Sequence, residues 1–207
     1  MFTESLLAAM LTFAPWYGDV ESSQARAARL HTIAQAINNA SLRAICSPDA
    51  PPLPPLVVVA DANNADDNQK TEEAPAEPAC TRLWRGEAKE LAFLLLTQAR
   101  YETHLALHVH QGKCRVHLGE CDGGKAATLW QLQWGPHLPK EEWNQLSGTD
   151  LLATTHAAFE AARILSRARN YCGTTTGAIA LFGTGRTCEH EPAKKRAAFM
   201  KRLLAKY

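Results

Sequence analysis

The sequence predicts a mainly α-helical domain interrupted by an irregular Pro-rich, acidic insertion. Two observations carry this: apolar residues recur at helical spacing in several long stretches, and residues 47–80 break that periodicity abruptly. The 207 residues suffice for one ordinary domain plus an insertion, so the reading is a single domain over 1–207. The first stretch, MFTESLLAAMLTFAPW, has an apolar run shorter than the roughly 20 residues of a membrane span. Glu4 is the only charge there, and a secretory signal would place Lys or Arg before the run. It reads as a helix of the fold, with no membrane span and no recognisable signal peptide.

From Ser22, the residues Ala25, Ala28, Leu30, Ile33, Ala34 and Ile37 predict an amphipathic helix capped by Ser22 or Ser23. Between Cys46 and Cys80 lie seven of the 11 prolines and the tract DANNADDNQKTEEAPAE, which has little apolar surface to bury. This segment reads as a solvated loop or a docking element, with a short strand at Leu56, Val57, Val58 and Val59. The next stretch, EAKELAFLLLTQARYETHLAL, predicts a long helix from Glu87 to about Leu107, with Leu91, Leu94, Leu95, Ala99, Leu105 and Ala106 on its stripe. A Gly-rich, Cys-containing loop and an aromatic run around Trp130 and Trp134 follow. Leu151, Leu152, Ala158, Phe159, Ala162 and Leu165 then predict another helix, capped by Thr149 or Asp150. TTTGAIALFGTGRTC reads as a loop. The last helix opens at Pro192, where a missing N–H costs nothing, and buries Phe199, Met200, Leu203 and Leu204.

Lys and Arg total 22 against 21 Asp and Glu, and a net charge of +1 gives no electrostatic reason to expect a nucleic-acid partner or an anionic membrane. The chemistry-bearing position is Glu102. Extending the stripe through 91, 95, 98 and 102 puts a carboxylate where the core is expected. Burial disfavours its charged form and fits it to act as a general acid. The alternative is a Glu near a helix end, half exposed and paired with Arg100 or a His.

The segment ARYETHLALHVHQGKCRVHLGECDGGKAATLWQLQ resembles the first two motifs of the soluble lytic transglycosylases and goose-type lysozymes. Glu102 matches the catalytic acid, with Thr103 where Ser is usual. Gly123 and Gly124 sit in the turn, and Leu129-Trp130-Gln131 takes the Leu-Met-Gln place. Leu181-Phe182-Gly183-Thr184-Gly185 is similar to the third motif, where Phe182 replaces a Tyr and removes a hydroxyl held near the acid. The resemblance covers about residues 85 to 190 and implies a lysozyme-like helical domain with a cleft. It implies cleavage of the bond between N-acetylmuramic acid and N-acetylglucosamine in peptidoglycan, without a cofactor.

In that family one carboxyl group protonates the leaving oxygen. It then accepts a proton from the muramic 6-hydroxyl, which closes on C1 to give an anhydro product. Hydrolysis needs a second carboxylate, for which Glu120 and Asp122 are candidates. The substrate-binding set is Thr103, Trp130, Gln131, Gln133 and Phe182. Trp134 offers a further sugar platform, since aromatic faces and amide edges suit sugar rings. The partner implied is a peptidoglycan glycan strand, at a wall-facing site in the periplasm or outside the cell. By analogy with export-signal-free muramidases of phages, virion or lysis proteins are further partners.

His104, His108, His110, Cys114, His117 and Cys121 crowd into eighteen residues, with His104 and His108 at i and i+4. A zinc hydrolase with Glu102 as base is the rival reading. The H-E-x-x-H order and paired C-x-x-C are absent, so metal is not assigned. Six cysteines otherwise suit an oxidising compartment and three local disulfides, Cys46 with Cys80, Cys114 with Cys121 and Cys172 with Cys188, among 15 pairings. A third class is an inactive peptidoglycan-binding or virion structural protein.

Overall fold

The computed structural model describes residues 2–53, 80–114, 121–135, 138–146 and 148–207. The strand expected at 56–59 and nearly all of the insertion lie outside the described residues. Helices dominate the rest, in the order α1 (Thr3–Leu11), α2 (Ser23–Ala44), α3 (Ala88–Thr103), α4 (Leu107–His110), a single irregular turn α5 (Cys121–Gly124), strands β1 (Ala126–Ala127) and β2 (Leu132–Gln133), α6 (Lys140–Gln145), α7 (Leu151–Cys172), α8 (Thr175–Thr184) and α9 (Glu191–Lys206). The two short strands pair antiparallel, Ala126 opposite Gln133 and Ala127 opposite Leu132.

Capping chemistry sets where α2 and α7 start. Ser22 Oγ accepts the Ala25 N–H at 3.1 Å, and Asp150 Oδ1 accepts the Ala153 N–H at 2.9 Å, so each satisfies an orphan donor of a first turn. Pro192 sits in the opening turn of α9, as its missing donor permits. α2 and α7, the two 22-residue helices, lie packed against each other. Both helices bury small residues among larger ones, with Ala34 and Ala40 of α2 and Ala158, Ala161 and Ala162 of α7 fully buried beside Ile33, Ile37 and Leu165.

α3 departs from the single-stripe expectation. Leu91, Ala92, Phe93, Leu94, Leu95 and Leu96 are all fully buried, so the helix is apolar around its circumference and runs through the core. It is also shorter than predicted. His104 (φ 54°) and Leu105 (φ 58°) both adopt the left-handed conformation, which ends the helix at Thr103 and starts a separate turn, α4. Two consecutive non-glycine residues with positive φ store strain, and tertiary contacts hold them there. Thr103 Oγ1 lies 3.1 Å from the Leu129 carbonyl oxygen, and Arg29 Nη1 donates to the Leu105 carbonyl at 2.9 Å. Arg29 is itself anchored by a buried ion pair with Glu21 at 2.6 Å.

The stretch expected to be a loop after α7 is a helix, α8. Thr174 caps it by accepting the Gly177 N–H at 3.0 Å, and Ala178, Ile179 and Ala180 bury its inner face. Gly177 is needed because a Cβ there would stand 2.6 Å from Cys172 Cβ. The Thr and Gly content of this stretch hid a short helix whose stability comes from packing and a disulfide rather than propensity.

The disulfides are Cys46–Cys80, Cys114–Cys121 and Cys172–Cys188, the three expected pairs. They suit an oxidising extracellular or periplasmic setting. Among the described residues, no helix is long and apolar enough to cross a membrane.

Candidate functional site

The last turn of α3 delivers Glu102 to the surface of the core. Its side chain is 19% exposed, and its Oε1 accepts from Nη1 of Arg196, which comes from α9. The guanidinium also donates to Gln98 Oε1 at 3.0 Å and stands 5.2 Å from the centre of the Tyr101 ring. Glu102 is therefore the half-buried, paired acid of the alternative reading, with Arg196 as partner in place of Arg100 or a His.

Two hollows meet at this carboxylate. One, of about 360 Å³, is lined by Tyr17, Glu102, Thr103, His104, His108 and Gln131 among others. The other, of about 330 Å³, is bounded by Glu102, Asp122, Gln131, Gln133, Phe182 and Arg186 together with the α8 terminus. Glu102 and Gln131 line both, so the acid and an amide form the ridge between them. Gly183 lies beside this junction: a Cβ there would sit 3.7 Å from Arg196 Nη1 and 4.0 Å from Glu102 Oε1, in ordinary contact with both.

The residues following α5 form the facing wall. Thr128 (φ 68°) and Gln131 (φ 51°) both adopt left-handed conformations. This backbone turns the Gln131 amide back, so that its Nε2 donates to the Thr128 carbonyl at 3.2 Å and approaches Cys121 Sγ at 3.3 Å. Gln133 Nε2 donates to the Asp122 carboxylate, which occupies an acidic oxygen of the second candidate carboxylate. Thr103 is buried and serves the wall structurally, its hydroxyl 2.9 Å from the Ala99 carbonyl oxygen as well as near that of Leu129.

The expected binding residues divide in two. Gln131, Gln133 and Phe182 gather round Glu102. Trp130 is 1% exposed, with its Nε1 donating to the Leu95 carbonyl at 3.0 Å, so it is a core side chain that gives the hollow only an edge. Trp134 is exposed and lines neither hollow, with Lys140 Nζ 5.7 Å from its ring. Glu120 and His117 lie outside the described residues.

The described members of the histidine and cysteine cluster do not assemble as a ligand set. The left-handed break after Thr103 takes His104 and His108 off a common helix. His110 is buried, with Nε2 3.0 Å from Thr154 Oγ1, and burial pushes its pKa down to about 4, with the Arg29 charge adding to the fall. Cys114 and Cys121 are bonded to each other, which removes both as thiolate ligands. Among the described residues, no group of three or more His, Cys, Asp or Glu is placed to hold a metal ion.

Sequence reasoning missed Arg196, Gln98 and Tyr17. Arg196 stands 94 residues from Glu102 on an otherwise ordinary charged helix face, and no local pattern marks it. Comparison of the chain with protein-family models, curated protein sequences and solved structures found no match.

Proposed function

We propose that this protein cleaves the glycan of peptidoglycan at the bond between N-acetylmuramic acid and N-acetylglucosamine, with Glu102 as acid and then base. The single observation that carries the reading is a half-buried carboxylate on the ridge between two joined hollows, flanked by amide and aromatic side chains. That is the lining a sugar requires: Gln131 and Gln133 offer hydrogen bonds to hydroxyl edges, while Phe182 and Tyr17 offer apolar faces. The motif resemblance at 102–103, 123–131 and 181–185 names the sugar.

In this account a strand lies across the Glu102 ridge, and the carboxyl proton passes to the glycosidic oxygen as the bond to C1 breaks. The carboxylate then takes the proton of the muramic 6-hydroxyl as that oxygen closes on C1. Arg196 has a second acceptor in Gln98 and a ring to rest against in Tyr101, so it has a place to remain when Glu102 carries a proton. Asp122, engaged by Gln133, is the reserve for a hydrolytic route.

Digestion of purified sacculi followed by mass analysis of the released ends tests this. Anhydro-muramic ends support the single-acid route, reducing ends the hydrolytic one, and no released fragments contradict the proposal. A second reading, a glycan-binding protein that does not cut, draws on the Arg196–Glu102 pair and on Phe182, which brings no hydroxyl to the acid. It predicts binding to sacculi without fragments.

A further inference from the structure

We propose that a third hollow, between α7 and α8, binds an anionic group carried by the glycan strand; this deepens the peptidoglycan reading and rests on it. The hollow measures about 360 Å³ and shares Phe182 and Gly185 with the one beside Glu102, so the two form one continuous surface. Its α7 wall is made by Arg163, Arg167 and Tyr171. These residues stand four apart, so they align along one side of the helix over about 12 Å.

Charge makes this hollow different from its neighbour. The carboxylates of Glu102 and Asp122 line the adjoining hollow, whereas among the described residues no carboxylate lines this one. Arg163 is partly engaged by Glu160 at 2.5 Å, while Arg167 is exposed. Arg186, next in sequence to the shared Gly185, lines the adjoining hollow. Tyr171 is 80% exposed and presents an aromatic face along the same side of α7 as these cations. A guanidinium pair next to an aromatic face is suited to a carboxylate or phosphate attached to a mostly neutral body.

The geometry thus orders the strand. Neutral sugar lies over the Glu102 ridge, and a charged substituent of the same strand reaches the arginines. A uniform polyanion fits poorly, because it would also lie against Glu102 and Asp122. Two sources share the required chemistry: the carboxylates of the peptide stems, and the phosphodiesters of polymers attached to the wall.

Binding to sacculi, measured by co-sedimentation at low salt, tests the site independently of cleavage. Arg167→Glu reverses a charge in the hollow, and Lys201→Glu makes the same change at an exposed position of α9 outside it. The expected result is a loss of binding of about fivefold or more for Arg167→Glu, with Lys201→Glu within about twofold of wild type. Removing the stem peptides with an amidase, or the phosphodiesters with hydrofluoric acid, identifies the source as the treatment that abolishes the difference between wild type and Arg167→Glu. Equal losses in both variants, no loss in Arg167→Glu, or a difference that survives both treatments would overturn the inference. Sacculi that wild type binds but does not cut would instead remove the cleavage reading and leave this site standing.

Discussion

At the residue scale, His110 gives the clearest consequence, because its ring sits where water cannot reach it. Its pKa is lowered to about 4, first by burial and then by Arg29, against an unfolded value near 6.5. Between those values the unfolded chain binds a proton that the folded chain refuses, so stability rises with pH. The contribution is complete above pH 6.5 and is lost as pH falls toward 4, on the order of 3 kcal/mol in all. Urea unfolding at pH 7 and pH 4.5 should therefore show a smaller drop for His110→Gln than for wild type; equal drops would mean that the imidazole is not dehydrated. The site residues were legible in unequal measure. Glu102 and the Gln131 amide stand out because a polar group interrupts an apolar stripe or a short motif carries them. Arg196 is invisible, since a cation on an amphipathic helix looks the same whether it faces solvent or an acid from a distant helix.

At the scale of elements, the corner between α3 and α4 sets where Glu102 points. Its two left-handed residues are held by contacts from α2 and from the 126–133 segment rather than by their own preference. His104 is exposed, so His104→Gly relieves strain without leaving a buried cavity. Thermal or chemical unfolding should find this variant equal to wild type or more stable by up to about 1 kcal/mol. A loss of more than that would show that the ring itself holds the corner. Periodicity read the bodies of α2, α7 and α9 well, because their buried faces repeat and their caps are chemically distinct. It overran the end of α3, because helical spacing continues through Leu105 and Ala106 although the backbone does not. It missed α8 because ten residues rich in Thr and Gly show little propensity, and the packing of Ala178, Ile179 and Ala180 decides their state.

At the scale of the whole molecule, α3 is sheathed by its neighbours, and α2 against α7 forms the tightest seam. Fully buried small residues on α7 tolerate little added volume. Ala161→Leu should cost about 1 to 3 kcal/mol in urea unfolding, and a neutral result would mean that the core around α7 is not closely packed there. The seam was not legible in the sequence, which shows each helix's apolar face but not its mate. The disulfides follow the local pairing expected, one of the 15 pairings that six cysteines allow. What joins the scales is a single carboxylate at the end of a core helix, opening onto two hollows lined by amide and aromatic side chains. The most direct test is the rate of fragment release from purified sacculi by wild type and by Glu102→Gln, which keeps the shape of the side chain and removes its proton. A fall of about 10² to 10⁴-fold, with unfolding unchanged to within about 1 kcal/mol, is the result expected of a general acid. Equal release by both proteins would contradict the role given to Glu102.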